Sequence, residues 1–240
     1  KGLFMNKQSG AVGAIIVAAG KGSRMGLGYN KVLANLCGRP VIEWTVKNFS
    51  IPALIDKIVL VVNPDEKAVI KNIIEPYSDI INITLTEGGN ERQDSVYNGL
   101  KAMGDSTELI LIHDGARPFV DQPLIERSIL YAKRFGAACA GMPVKETVKK
   151  INEENLVVET PVRATLWSAQ TPQAFKREII LKSYQQAYQK GLKGTDDASL
   201  AEAAGYNVFM FEGSYNNIKL TSPEEFVLAE QLVKKASEVK

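Results

Sequence analysis

The sequence predicts an α/β fold built on a doubly wound, mostly parallel sheet, and three observations carry that expectation. First, short apolar runs rich in β-branched residues stop abruptly at turn-forming residues. Ala14-Ile15-Ile16-Val17 ends at Ala18-Ala19-Gly20, Ile58-Val59-Leu60-Val61-Val62 at Asn63-Pro64-Asp65, and Leu109-Ile110-Leu111-Ile112-His113 at Asp114-Gly115. Second, the segments between them carry apolar residues on one helical face, as Val41, Trp44, Thr45 and Phe49 do. Third, run and helix alternate at a spacing that suits right-handed crossovers between parallel strands.

Composition narrows the class. A chain of 240 residues, 45% of them apolar, can bury a normal core. With 29 Lys and Arg against 27 Asp and Glu, the formal charge of +2 gives no general attraction to nucleic acid or an anionic membrane. A small polyanion would need a local cluster of cations. Cys37 and Cys139 have no metal-ligand spacing and argue against a disulfide framework, which fits a reducing cytoplasm. No apolar run approaches the roughly 20 residues of a membrane helix. Residues 1–11 lack a signal peptide's apolar stretch and read as an extension or tag remnant, leaving residues 12–240 as one domain.

Taken in order, the first run leads into Ala18-Ala19-Gly20-Lys21-Gly22-Ser23-Arg24-Met25-Gly26, with Lys31 beyond. Glycines after a buried strand let backbone N–H groups approach a phosphate, and Arg24 and Lys31 bring charge. The spacing fits neither a Walker loop nor a dinucleotide fingerprint, so the loop is either a phosphate binder of a third kind or a plain glycine-rich turn. A helix follows Pro40, then the second strand, a helix over residues 65–74 and a third strand over 81–86. Gly88-Gly89-Asn90-Glu91-Arg92-Gln93-Asp94-Ser95 permits backbone to read a flat base, with Ser95 offering a hydroxyl, or is a turn with a helix cap. Asp114, at a strand end, suits a Mg²⁺ site that draws its other ligands from phosphate and water, or is a turn carboxylate paired with Arg117. Arg117 suits bidentate contact with phosphate. His113, the one histidine, reads as a hydrogen-bonded structural residue rather than a base.

After a helix over 122–135 and a strand over 137–143 the alternation stops. Residues 144–163 read as a projecting β-hairpin arm around the turn Asn152-Glu153-Glu154-Asn155, and such an exposed edge calls for a covering partner. Residues 176–190 form a helix, and Gly194-Thr195-Asp196-Asp197 caps another. Asp196 or Asp197 either reaches a substrate hydroxyl or serves the helix dipole. A strand over 206–212 and the extended segment bearing Lys219 precede Ser222-Pro223-Glu224-Glu225, a capping box that opens the last helix.

Several of these segments together resemble one family. They are Ala18 to Met25 with a lysine seven residues after Arg24; Gly88-Gly89 with Glu91-Arg92 and Asp94-Ser95-Val96; Asp114-Gly115-Ala116-Arg117-Pro118; Gln170-Thr171-Pro172-Gln173; and Lys219. The chain is similar to nucleotidyltransferases that join a sugar or polyol phosphate to a nucleoside triphosphate, and within them to the methylerythritol phosphate cytidylyltransferase family of isoprenoid biosynthesis. The resemblance implies a Rossmann-like fold of the nucleotide-diphospho-sugar transferase type, CTP and a polyol phosphate as substrates, Mg²⁺, and a homodimer formed through the arm. It implies nucleotide contacts at Ala18, Ala19, Gly20, Gly22, Gly89, Asn90, Ser95 and Asp114, catalytic cations at Arg24, Lys31, Arg163 and Lys219, and substrate contacts at Arg117, Thr147, Arg163 and Lys219. Thr147 and Arg163 would act in the neighbouring subunit's site. Ribitol-5-phosphate cytidylyltransferases share the loop, sheet and arm and are the nearest rival; a nucleotide-binding regulator without catalysis is the rival of another class.

Overall fold

The computed structural model describes residues 10–20 and 30–238, and Gly22 and Arg24 lie outside them. In chain order the elements are β1 (Ala11–Val17), the small pair β2 (Asn35–Leu36) and β3 (Arg39–Pro40), α1 (Val41–Phe49), β4 (Lys57–Val62), α2 (Lys67–Ser78), β5 (Asn82–Glu87), α3 (Arg92–Met103), β6 (Thr107–Asp114), α4 (Gln122–Phe135) and β7 (Ala137–Pro143). Then come β8 (Lys150–Ile151), β9 (Val157–Glu159), β10 (Trp167–Lys176), α5 (Arg177–Lys190), α6 (Asp197–Ala203), β11 (Phe209–Glu212) and α7 (Pro223–Glu238).

The main sheet has seven strands in the order β11-β7-β10-β6-β1-β4-β5. All run parallel except β10, which is antiparallel to both β6 and β7. The expected α/β, Rossmann-like architecture is therefore the observed one. From β1 the chain builds outward to β4 and β5, then crosses back through α3 to place β6 on the other side of β1. That reversal is the switch point at which open α/β sheets bind ligands. Val17 lies beside Asp114 in register there, so the last residues of β1 and β6 are neighbours.

Alternate strand residues feed two cores. Ala14, Ile16, Leu60 and Leu111 pack with Ile42, Phe49, Ile70 and Leu124 from α1, α2 and α4. Ile15, Val61 and Ile112 pack on the other face with Leu100, Tyr184 and Leu200 from α3, α5 and α6. Burial on both faces is why these strands read as continuous apolar runs. A third, smaller cluster of Leu36, Val41, Leu220 and Ala229 seats α7 against β2 and α1.

Two expectations change. The helix expected over 65–74 begins at Lys67 and runs past Pro76 to Ser78, because Tyr77 is buried and its hydroxyl donates to Glu43 Oε1 at 3.1 Å, fastening α2 to α1. The hairpin within residues 144–163 pairs over only β8 and β9, and every residue of both strands is exposed. With neither face packed, side chains do not reward a longer ladder. Among the described residues no helix is long and apolar enough to cross a membrane.

Candidate active site

At the switch point the loop after β1 is pinned at both ends. Ala18 donates its N–H to Val61 O at 2.8 Å. The buried Asn30 amide donates to Ala18 O at 2.7 Å and to Glu66 Oε2 at 2.8 Å, while its oxygen accepts the Val32 N–H. Lys31, opening a short 3₁₀ turn, is thereby held near the end of β1. Ala18 is buried, Ala19 half-buried and Gly20 exposed. Gly88 closes on the neighbouring end of β4: its N–H donates to Val62 O at 2.9 Å, and a Cβ there would stand 2.3 Å from that of Ala19, just past β1. Only glycine permits that approach, so the two glycine-bearing loops touch.

The Gly88–Asn90 loop is shaped from below. Ser95 Oγ accepts the Gly89 N–H at 3.0 Å and donates to Glu91 O at 3.1 Å, and Glu91 and Asp94 form a capping box at the start of α3. Gly89 and Asn90 are exposed above this frame. The Ser95 hydroxyl, with both roles occupied, holds the loop in shape.

Beside it, β6 delivers Asp114 to the floor of a cavity of about 300 Å³ lined by Arg92, Asp114, Arg117, Thr171, Asp196 and Lys219, among others. Three cations surround the carboxylate. Lys219 Nζ lies 2.8 Å from Oδ2, Arg92 Nε 3.2 Å from Oδ1 and Arg117 Nε 3.7 Å from Oδ2. Burial would raise the Asp114 pKa, but Arg92, then Lys219 and Arg117, hold it well below the usual carboxylate range. Arg117 also donates from Nη1 to Asn217 O at 2.8 Å, tying the segment that carries Lys219 to the end of β6. Its own pKa is lowered, chiefly by burial.

Under the floor, His113 is fully buried and its pKa is pushed down by burial to about 4, so the ring is neutral near pH 7. Nε2 lies 3.1 Å from Arg117 O, an acceptor only, so that nitrogen carries the proton. Nδ1 then accepts the Thr171 hydroxyl at 3.0 Å, and Thr171 Oγ1 accepts the Asp114 N–H at 3.1 Å. The histidine is a brace between β6 and β10, as expected of a structural residue.

The structure brings Asp114, Arg117 and Lys219 together at the end of β6 and sets Ala18, Ala19, Gly89 and Asn90 near the end of β1. Lys31 reaches toward α7: burial works against the charge of Glu225, but the Thr221 hydroxyl, the Thr221 and Ser222 amides and the Lys31 charge hold its carboxyl below the ordinary value. Thr147 and Arg163 do not line this cavity. Both are exposed, and Arg163 Nη1 donates to Lys145 O at 2.9 Å, joining the roots of the hairpin. Asp197 is withdrawn from any ligand, being fully buried between Arg92 at 2.8 Å and the Tyr184 hydroxyl at 2.5 Å. Asp196 caps α6 through the Ser199 N–H and lines the cavity.

Sequence reasoning gave no role to Asn30 and took Arg92 only as part of the Glu91-Arg92 segment of the family resemblance, not as a partner of Asp114. The ion pair of Arg92 gave no sequence signal, since its partner Asp197 lies 105 residues away.

Residues 12–235 match the 2-C-methyl-D-erythritol 4-phosphate cytidylyltransferase family. The chain is 47% identical over 221 residues, 92% of its length and 94% of the relative's, to the enzyme of that name from Alkaliphilus oremlandii. It is 45% identical to the one from Clostridium perfringens, covering 94% of this chain and all of that one. Its fold superimposes on the crystal structure of 4-diphosphocytidyl-2C-methyl-D-erythritol synthase from Anaerococcus prevotii with a TM-score of 0.84 at 34% identity, covering 94% and 99% of the two chains. The Thermus thermophilus 2-C-methyl-D-erythritol 4-phosphate cytidylyltransferase gives 0.76 at 32% identity, covering 93% and 99%. With loop, floor and sheet arranged as described, the chain belongs to the 2-C-methyl-D-erythritol 4-phosphate cytidylyltransferase family.

Proposed function

We propose that this protein transfers the cytidylyl group of CTP to 2-C-methyl-D-erythritol 4-phosphate. A phosphate oxygen of the polyol attacks the α-phosphorus, the bond to the β-phosphate bridging oxygen breaks, and pyrophosphate leaves with that electron pair. The observation that carries this reading is the convergence of Lys219, Arg117 and Arg92 on Asp114 beside the pinned Ala18–Gly20 loop. The nucleophile is already an anion, so the task is to align two repelling anions and to stabilise charge building on the α-phosphate and the leaving group.

In this reading Gly89 and Asn90 hold the cytosine, the backbone from Ala18 to Gly22 cradles the triphosphate, and Arg24 and Lys31 stabilise the α-phosphate and leaving group. Lys219 and Arg117 meet the acceptor phosphate. Thr147 and Arg163 complete that pocket from the arm of a second protomer, and the exposed hairpin is what a homodimer would cover.

Mg²⁺ belongs to the same proposal. Among the described residues no three carboxylate, imidazole or thiol groups gather around one point, so the chain does not supply a full coordination shell. Asp114 fits an ion that takes most of its ligands from phosphate and water, with one carboxylate beside it. When bound, such an ion would neutralise charge on the bridging phosphates. The test is pyrophosphate release from CTP with methylerythritol phosphate, run beside ribitol 5-phosphate. Turnover with the first and little with the second is expected; the reverse preference would overturn the substrate assignment, and CTP binding without release would leave a regulator.

A further inference from the structure

Arg92 holds a place on the floor that no proposed substrate contact explains. It opens α3 two residues beyond Asn90, and its guanidinium is stretched between two carboxylates: Nε lies 3.2 Å from Asp114 Oδ1 and Nη2 lies 2.8 Å from Asp197 Oδ2. Asp197 is fully buried at the start of α6, and its other oxygen accepts the Tyr184 hydroxyl from α5 at 2.5 Å. Partners therefore follow one another from Tyr184 through Asp197, Arg92 and Asp114 to Lys219, linking both sides of the cavity.

A guanidinium is a planar fork, and once two of its edges are claimed it cannot swivel. Asp197 thus fixes Arg92, and Arg92 claims Oδ1 of Asp114. Oδ2 is left to face Lys219 and Arg117. We propose that Arg92, anchored by Asp197, is a positioning residue that aims the Asp114 carboxylate so that Lys219 and Arg117 stand ready for the acceptor phosphate. This rests on the reading of the cavity given above. It adds that the α3 turn following the base-reading loop and the phosphate floor are one rigid unit, for Arg92 belongs to both. Charge supports the arrangement: burial opposes a charged Arg92, but Asp197 and Asp114 outweigh it and raise its pKa.

Removing Arg92 alone would strand Asp197, so the test uses the double variant Arg92→Met with Asp197→Asn, which removes both charges together. It should fold, and its loss of CTP affinity in calorimetry should be smaller than its loss toward methylerythritol phosphate. Its KM for methylerythritol phosphate should rise about tenfold with a fall in kcat, the scale of one charge-assisted hydrogen bond. Arg92→Lys keeps the charge but cannot span two carboxylates, and should show the same loss. Wild-type kinetics in the double variant, or full rescue by lysine, would overturn the proposal. Should the double variant not fold, Asp197→Asn alone keeps the Tyr184 contact and should raise that KM about threefold, the scale of a neutral hydrogen bond; an unchanged KM would overturn the proposal equally. Wild-type enzyme in the same assay separates the two readings. A wild type that releases no pyrophosphate defeats the assigned function, whereas an active wild type with indifferent variants defeats only the positioning role.

Discussion

Asp114 sits beneath three cations in a cavity that one chain builds, whereas Arg163 rests on a single carbonyl at the root of an exposed hairpin. The floor is braced from every side: His113 and Thr171 fix the backbone of Asp114, Asn217 ties Arg117 to the Lys219 segment, and Arg92 leans on Asp197. The arm is held by exposed contacts: Lys149 Nζ donates to Thr160 Oγ1, Lys150 pairs with Glu159, and Lys145 lies over the Tyr215 ring at the root. Its two strands pair over a few residues, and Leu156, Val157 and Val158 are each more than half exposed. The difference teaches that one chain braces the floor of its cavity internally, while the hairpin is left exposed; in the function proposed above, a second protomer's arm completes the polyol-phosphate pocket.

The strongest break of this contrast is Asp114→Asn, which leaves three cations facing an amide. Removing one partner from a buried ionic cluster costs about 3–5 kcal/mol, measurable by urea unfolding, and a loss below about 1 kcal/mol would mean the floor is not braced as described. Next, Lys31→Ala should lower kcat by about 10²–10³-fold, roughly 2.7–4 kcal/mol, with a smaller change in KM. An unchanged kcat would remove Lys31 from the transition state.

His113 gives the floor a pH dependence. Its folded pKa, about 4, lies below the value near 6.5 of an unfolded histidine, so the unfolded chain binds the proton first. This contribution is whole above about pH 6.5 and is lost as pH falls toward 4, by about 3 kcal/mol. His113→Gln should flatten the unfolding free energy across that window; an equal slope in both proteins would place its origin elsewhere. The smallest effect is expected at the arm. Arg163→Ala should raise the KM for methylerythritol phosphate by about tenfold or more while that for CTP stays near wild type, and equal weakening of both would contradict the assignment.

How far the sequence could be read follows the same division. β1, β4 and β6 were legible because burial on both faces turns a strand into an unbroken apolar run, and the turn residues after each mark where ligands meet the sheet. Asp114 was legible as a carboxylate at a strand end and Lys219 only through the family resemblance, and their 2.8 Å contact joins segments far apart in the chain. The ion pairs of Arg92, the part played by Asn30 and the burial of Asp197 could not be seen, since each depends on a partner supplied by another element. The antiparallel course of β10 was equally hidden, for local composition does not encode strand direction. The extent of the hairpin was overestimated because β-branched residues such as Val157 and Val158 suit a strand whether or not a partner strand is there.

Mixing two damaged proteins tests the division most directly. With methylerythritol phosphate held well below its KM, Lys219→Ala, which loses the floor cation, and Arg163→Ala, which loses the arm cation, should each release pyrophosphate about tenfold or more slowly than wild type. If the arm serves the neighbouring protomer, mixed dimers contain one site with both cations, and random exchange should restore about a quarter of wild-type turnover. Activity no greater than the sum of the separate variants, with subunit exchange verified, would show that Lys219 and Arg163 serve within one chain and that the arm does not complete its neighbour's site.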